Sequence, residues 1–240
     1  MATSGVTIFQ MTRDEIIAAA MRKVQALAKG QLPDTQDLTD FTLALNALVS
    51  EFQTDGMQLW ARDNYSLTLI ANQDTYVFGE GQAVNTPFPL KIHQGILQDS
   101  LGTGRIEMEQ ISLYDFNLLP QSPTPTGIGQ PTSMCYTPGI NVGTLKVWPA
   151  PDTITASNYT LELYYQRPFD IFVDDINTAD FPAEWHNALI YGLAALITDE
   201  LGLPTQDKQY IDGKANMFHE RAKSFGVEEA SFFIQPHWRD

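Results

Sequence analysis

The 240-residue sequence predicts an α+β fold: a four-helix body assembled from both termini, with an antiparallel β region inserted between its halves. Three observations carry the prediction. Apolar residues recur at three- and four-residue steps near both ends of the chain. The middle changes to a period of two and is rich in aromatic and β-branched residues. The segment Phe181 to Leu201 is so apolar that it cannot hide its surface alone, and the only comparable segments lie at the opposite terminus. The expected division is residues 1–62 and 181–225 for the helical body, 63–180 for the β region and 226–240 for a separate C-terminal tail.

In order, Thr12-Arg13-Asp14-Glu15 has the form of a capping box, with Thr as the cap and Glu three residues on. Ile16, Ile17, Ala20, Val24 and Leu27 continue one helical face, and Gly30 closes it behind Lys29. Pro33 and Asp34 form a connection, and Asp34 or Thr35 caps a second helix. That helix carries Leu38, Phe41, Leu45, Leu48, Val49 and Phe52 and stops near Gly56.

From Tyr65 to Ile70 the pattern is that of a strand, with Ala71 to Asp74 as a turn and Thr75 to Phe78 as its return. Ile92 to Gln98 and Arg105 to Ile111 read as paired strands around the Gly102-Thr103-Gly104 turn. Leu113 to Phe116 reads as one helical turn, and the proline-rich stretch from Pro120 to Pro131 as a loop. Ser133 to Tyr136, Thr144 to Trp148 and Tyr159 to Arg167 complete the strands.

The segment 181–201 then reads as one helix, capped by Asp180, with Pro182 in the first helical position and Gly202 and Pro204 beyond its end. Thr205 opens a last helix through Ser224, with Ile211, Ala215, Phe218 and Ala222 inward and Lys208, Lys214, Arg221 and Lys223 along it. The remaining residues form an aromatic tail with no regular period.

The formal net charge is −15, from 29 acidic and 14 basic residues. Tight phosphate binding requires clustered Lys and Arg, so this balance disfavours a protein that grips nucleic acid. It permits a surface along which DNA passes without sticking, although on charge alone the plainer reading is that an acidic balance keeps a protein soluble. No apolar run approaches the roughly 18 residues of a membrane span, so no membrane association is expected. The start lacks the basic and apolar regions of a signal peptide, which predicts folding in a cytosol. The single cysteine, Cys135, excludes an internal disulfide framework.

Motifs of chemistry are not found. Gly102-Thr103-Gly104-Arg105 lacks the spacing and lysine of a phosphate loop. His93, His186, His219 and His237 are never spaced as a metal pair, and no nucleophile elbow occurs. The carboxylates Asp170, Asp174, Asp175 and Asp180 could gather a Ca²⁺, yet lack the positions of a calcium loop. The expectation is no enzyme and no cofactor.

Five segments resemble, in order, the head-to-tail adaptor proteins of tailed phages, the tail tubular protein A type and the related adaptors that close the portal. They are Leu45 to Trp60 (LNALVSEFQTDGMQLW), Asp74 to Phe78 (DTYVF), Gly129 to Tyr136 (GQPTSMCY), Leu145 to Pro151 (LKVWPAP) and Asp180 to Trp185 (DFPAEW). The similarity spans Met11 to Ser224. Phe52 stands where the family often has Trp, and Gln130 where Arg is common.

The resemblance implies a structural virion protein at the head–tail neck, assembled in the host cytoplasm. It implies a homo-dodecameric ring between the portal protein and the tail nozzle or tail tube protein, with DNA crossing its lumen without sequence-specific binding. On that reading Phe232, Phe233, Ile234 and Trp238 of the tail are portal-binding residues. Head-to-tail contacts need two complementary faces, for which the candidates are Lys208, Lys214 and Arg221 on one side and Asp37, Asp40 and Glu51 on the other. The alternative is a virion glycan-binding or peptidoglycan-cleaving module, with Tyr114, Tyr136, Trp148, Tyr164 and Tyr165 as a sugar platform.

Overall fold

The computed structural model describes residues 9–54, 61–100, 104–120 and 127–225. The chain divides into two compact units: residues 1–60 with 169–240, and the segment 61–168 between them.

In the first unit, α1 (Arg13–Lys23) begins with a complete capping box: Thr12 Oγ1 accepts from the Glu15 amide at 3.4 Å and Glu15 Oε2 from the Thr12 amide at 2.9 Å. It ends at Lys23 rather than near Gly30, because Gln25 takes a left-handed conformation with φ of 61°. Next, α2 (Thr35–Thr54) starts where Asp34 Oδ1 accepts from the Asp37 amide at 2.8 Å, and it buries Phe41, Leu45, Leu48, Val49 and Phe52.

The long apolar segment divides. A 3₁₀ turn over Ala183–Trp185 precedes α5 (His186–Ile197), which is only 12 residues long. Asp180 does not cap it; one of its carboxylate oxygens accepts from the Asp170 amide at 3.1 Å. Last comes α6 (Thr205–Phe225), on which only Ile211 and Ala222 are fully buried.

The class is α+β, but the four-helix body is not what the chain forms. Six α-helices occur among the described residues, and two of them, α3 (Leu113–Leu118) and α4 (Thr153–Asn158), stand in the strand-bearing unit. In the helical unit α1, α2 and α6 each pack against α5 instead of sharing one bundle seam. The reason is chemical. A bundle helix offers one apolar stripe, whereas α5 buries His186, Ala188, Leu189, Ile190, Gly192, Leu193, Ala194 and Ile197, covering most of its circumference. Gly192 lets α2 approach, since a Cβ there would lie 2.9 Å from Leu48 Cδ2.

An aromatic cluster closes one end of that core. Phe52 meets Trp185 at 5.5 Å and Phe181 at 6.4 Å between ring centroids, both edge-on, and stacks on His219 at 4.6 Å.

The second unit pairs its strands differently from the simple hairpins expected. One sheet has the order β1 (Arg62–Thr68), β10 (Tyr159–Gln166), β3 (Lys91–Asp99), β4 (Arg105–Glu107). The other has β2 (Thr75–Phe78), β8 (Gly143–Trp148), β7 (Ser133–Pro138), β5 (Glu109–Gln110). So β1 and β2, consecutive in sequence, lie in different sheets. The turn between them is closed by Tyr76, whose hydroxyl accepts from the Ile70 amide at 3.0 Å.

The region is also not wholly antiparallel: β5 runs parallel to β7, and β6 (Ile128–Gly129) parallel to β9 (Ala150–Pro151). The expected strand 105–111 breaks at Met108, which is buried, so β4 and β5 serve the two sheets separately. Leu97, Leu161 and Leu163 of the first sheet share a core with Phe78, Met134, Leu145 and Val147 of the second. Cys135 is buried on β7.

Phe52→Ala is expected to lower the unfolding free energy by about 3–5 kcal/mol in guanidinium titrations, the usual cost of emptying a buried aromatic site. Leu43→Ala, at a position 69% exposed on the same helix, should change it by less than about 0.5 kcal/mol.

Candidate functional site

Among the described residues no three His, Cys, Asp or Glu side chains are grouped so as to hold a metal ion. The acidic loop 170–180 is organised instead by two asparagines that the sequence reading did not single out. Asn46 on α2 accepts from the Phe172 amide and donates to its carbonyl, both at 2.9 Å. Asn177 Oδ1 accepts from the amides of Val173 and Asp174 at 2.9 and 2.6 Å. Arg13 donates to the Val173 carbonyl at 3.1 Å. So held, the loop buries Phe172 and leaves Ile171, Val173 and Ile176 exposed.

The proposed interface residues sort by helical geometry. Lys208 turns away from the others, paired with Asp199, a bond that also raises its pKa. Lys214 and Arg221 fall on one stripe of α6 with Tyr210, Met217 and Phe225, spaced i, i+4, i+7, i+11 and i+15. Tyr210 and Phe225 are 63% and 75% exposed, and the Lys214 ammonium sits 5.7 Å from the Tyr210 ring centroid.

On α2, Asp37, Asp40 and Glu51 share a stripe with Ala44 and Ala47, spaced i, i+3, i+14 and i+7, i+10. Gln36 donates to both carboxylate oxygens of Asp40 at 3.0 Å. The aromatic members of the α6 stripe were missed in the sequence, although their period of three and four with the basic residues was there to be counted. The tail residues Phe232, Phe233, Ile234 and Trp238 lie outside the described residues.

The candidate sugar-binding aromatics are not assembled into a platform. Tyr165 is buried, Tyr136 donates to the Pro89 carbonyl, and Trp148 Nε1 donates to the Pro120 carbonyl at 2.8 Å. The Tyr164 hydroxyl is engaged by Arg105 at 3.1 Å, and Arg105 also pairs with Glu162 at 2.9 Å. Tyr114 alone is largely exposed, on α3. No helix among the described residues is long and apolar enough to cross a membrane.

What this chain presents among the described residues is charged and aromatic surface on well-anchored helices, with no grouped metal ligands. Residues 11–228 match the model of the SU10 adaptor protein family, and the chain belongs to that family. It is a phage adaptor, a structural component of the virion, and membership implies partners among portal and tail proteins. Among curated proteins, none matches the chain.

His186, at the start of α5, is 3% exposed, and among the described residues neither ring nitrogen has a hydrogen-bond partner. Phe9 packs edge-on against it at 5.3 Å. Burial lowers its pKa from the ordinary 6.5, with Glu184 opposing. The unfolded chain therefore takes up this proton more readily than the folded one. The stability held by the neutral imidazole is complete above about pH 6.5 and declines as pH falls toward the folded value. In thermal melts at pH 7 and pH 5, His186→Leu should show a smaller acid-induced drop than the unsubstituted chain.

Proposed function

We propose that the chain forms the head-to-tail adaptor ring of the virion neck, a closed homo-oligomer, dodecameric as the family resemblance implies, between the portal protein and the tail nozzle or tail tube protein. The helical unit builds the ring, and residues 226–240 dock on the portal through Phe232, Phe233, Ile234 and Trp238. Family membership over residues 11–228 is the observation that carries this reading.

The net charge of −15 supports it. A lumen of like sign to the DNA backbone offers no counterion-releasing contacts, so the genome passes without sequence-specific binding. The reaction of such a protein is assembly, in the host cytoplasm, and it turns over no substrate.

Native mass measurement of the chain with and without its cognate portal tests the reading. A portal-bound ring of defined stoichiometry is expected; no complex, or turnover of peptidoglycan by the pure chain, would sink it. Combined Phe232→Ala and Trp238→Ala should weaken portal binding by at least about thirtyfold, the scale of losing a buried aromatic anchor of 2 kcal/mol or more.

A further inference from the structure

The two charged stripes are complements carried by one chain. On α6, Tyr210, Lys214, Met217, Arg221 and Phe225 form a line in which two cations alternate with three large apolar groups. On α2, Asp37 and Asp40 at one end and Glu51 at the other enclose Ala44 and Ala47. With about 1.5 Å of rise per residue, the lines are roughly 22 Å and 21 Å long. Within the described residues no ion pair engages Lys214, Arg221, Asp37, Asp40 or Glu51, whereas Lys208, off the line, is already paired.

Alanines between carboxylates leave a shallow track on the helix, into which broad side chains can settle while the charges meet at its edges. Exposed Tyr and Phe on a line with cations carry the composition of an interface anchor, enriched in aromatic groups and Arg, with Asp207, three residues before Tyr210, as the acid at its start. Both faces are exposed, or half-buried at Asp37, Ala44, Lys214 and Met217.

We propose that the α6 stripe of one copy seats on the α2 stripe of the next. This contact rests on the ring reading above and assigns its subunit interface. Because the two surfaces differ, the contact is head-to-tail: each copy keeps one unused face for a further neighbour, and the series ends only when it closes on itself. An occupant from another protein would not explain why both halves of the match are present on the same helical unit.

The test uses full-length chains with the cognate portal. Ala47→Cys and Met217→Cys place one thiol on each stripe, and the native Cys135, 2% exposed, does not compete. A mixture of the two variants, each with one accessible thiol, treated with a short bismaleimide, should give a covalent dimer that neither chain forms alone. A chain carrying both cysteines should give a ladder reaching the ring.

Lys214→Glu with Arg221→Glu should raise the concentration at half-assembly by at least about tenfold, since like charges then face one another. Adding Asp40→Lys and Glu51→Lys to that same chain should restore assembly, which a merely misfolded variant could not do. A ring that forms on the portal without the mixed cross-link, or unaffected by the reversal, overturns this contact and leaves the ring reading intact. An unsubstituted chain that forms no ring with the portal overturns both.

Discussion

The enclosure of α5 is the constraint on which the helical unit depends. A helix of 12 residues with buried apolar side chains on most sides, exposed only at Asn187 and Leu196, recruits α1, α2 and α6 to cover it. Each fully buried Leu or Ile contributes roughly 1.5–3 kcal/mol of transfer free energy, and several lie along this one helix. Trp185 anchors the arrangement: it is 2% exposed, set among Phe52, Phe181 and His219 at centroid distances of 5.5, 5.8 and 5.7 Å. With the inward faces of α2 and α6 committed there, their outward faces are fixed in direction. A charged stripe on a helix is useful for assembly only when the helix cannot rotate, and the core removes that freedom.

The same economy shows in the 169–180 segment. Its chain is irregular, yet Asn46, Asn177, Gln53 and Arg13 satisfy its backbone groups, so it needs no secondary structure to be held. Acidic residues in that stretch invite a reading as cation ligands. Hydrogen bonding gives a different account, in which Asp180 receives a backbone amide and Asp174 lies in an Asn-stabilised turn. Side-chain amides thus supply most of the hydrogen bonds that fix the loop's shape, with Arg13 and Asp180 completing them.

Much of this was legible in the residues. The capping box of α1, the apolar face of α2, the strand 75–78 and the span of α6 all follow local rules, and local rules suffice where one element's own spacing determines it. What the sequence did not reveal depends on partners distant in the chain. Tyr65–Ile70 and Thr75–Phe78 look like a hairpin because a turn separates them, but the first strand pairs with residues 160–166 and the second with 143–146. The helical body was misread for a related reason. Periodicity shows that a helix has an apolar face, but how many neighbours that face meets is set by packing around α5. Of the candidate interface residues, Lys214 and Arg221 fall with the aromatics on a shared line; Lys208 is separated by an ion pair to Asp199, a partner nine residues away that composition cannot assign.

The Arg167 amide donates to the Ala61 carbonyl at 2.9 Å, so the strand block begins and ends at adjoining positions. The helical unit is therefore written in two instalments, separated by the whole block. During translation α1 and α2 emerge with their apolar faces uncovered and wait, on the order of ten seconds at ordinary synthesis rates, for α5 to leave the ribosome. The interior of the helical unit is thus a debt carried through biosynthesis, exposed to chaperones and to sister chains, and settled only when α5 and α6 arrive.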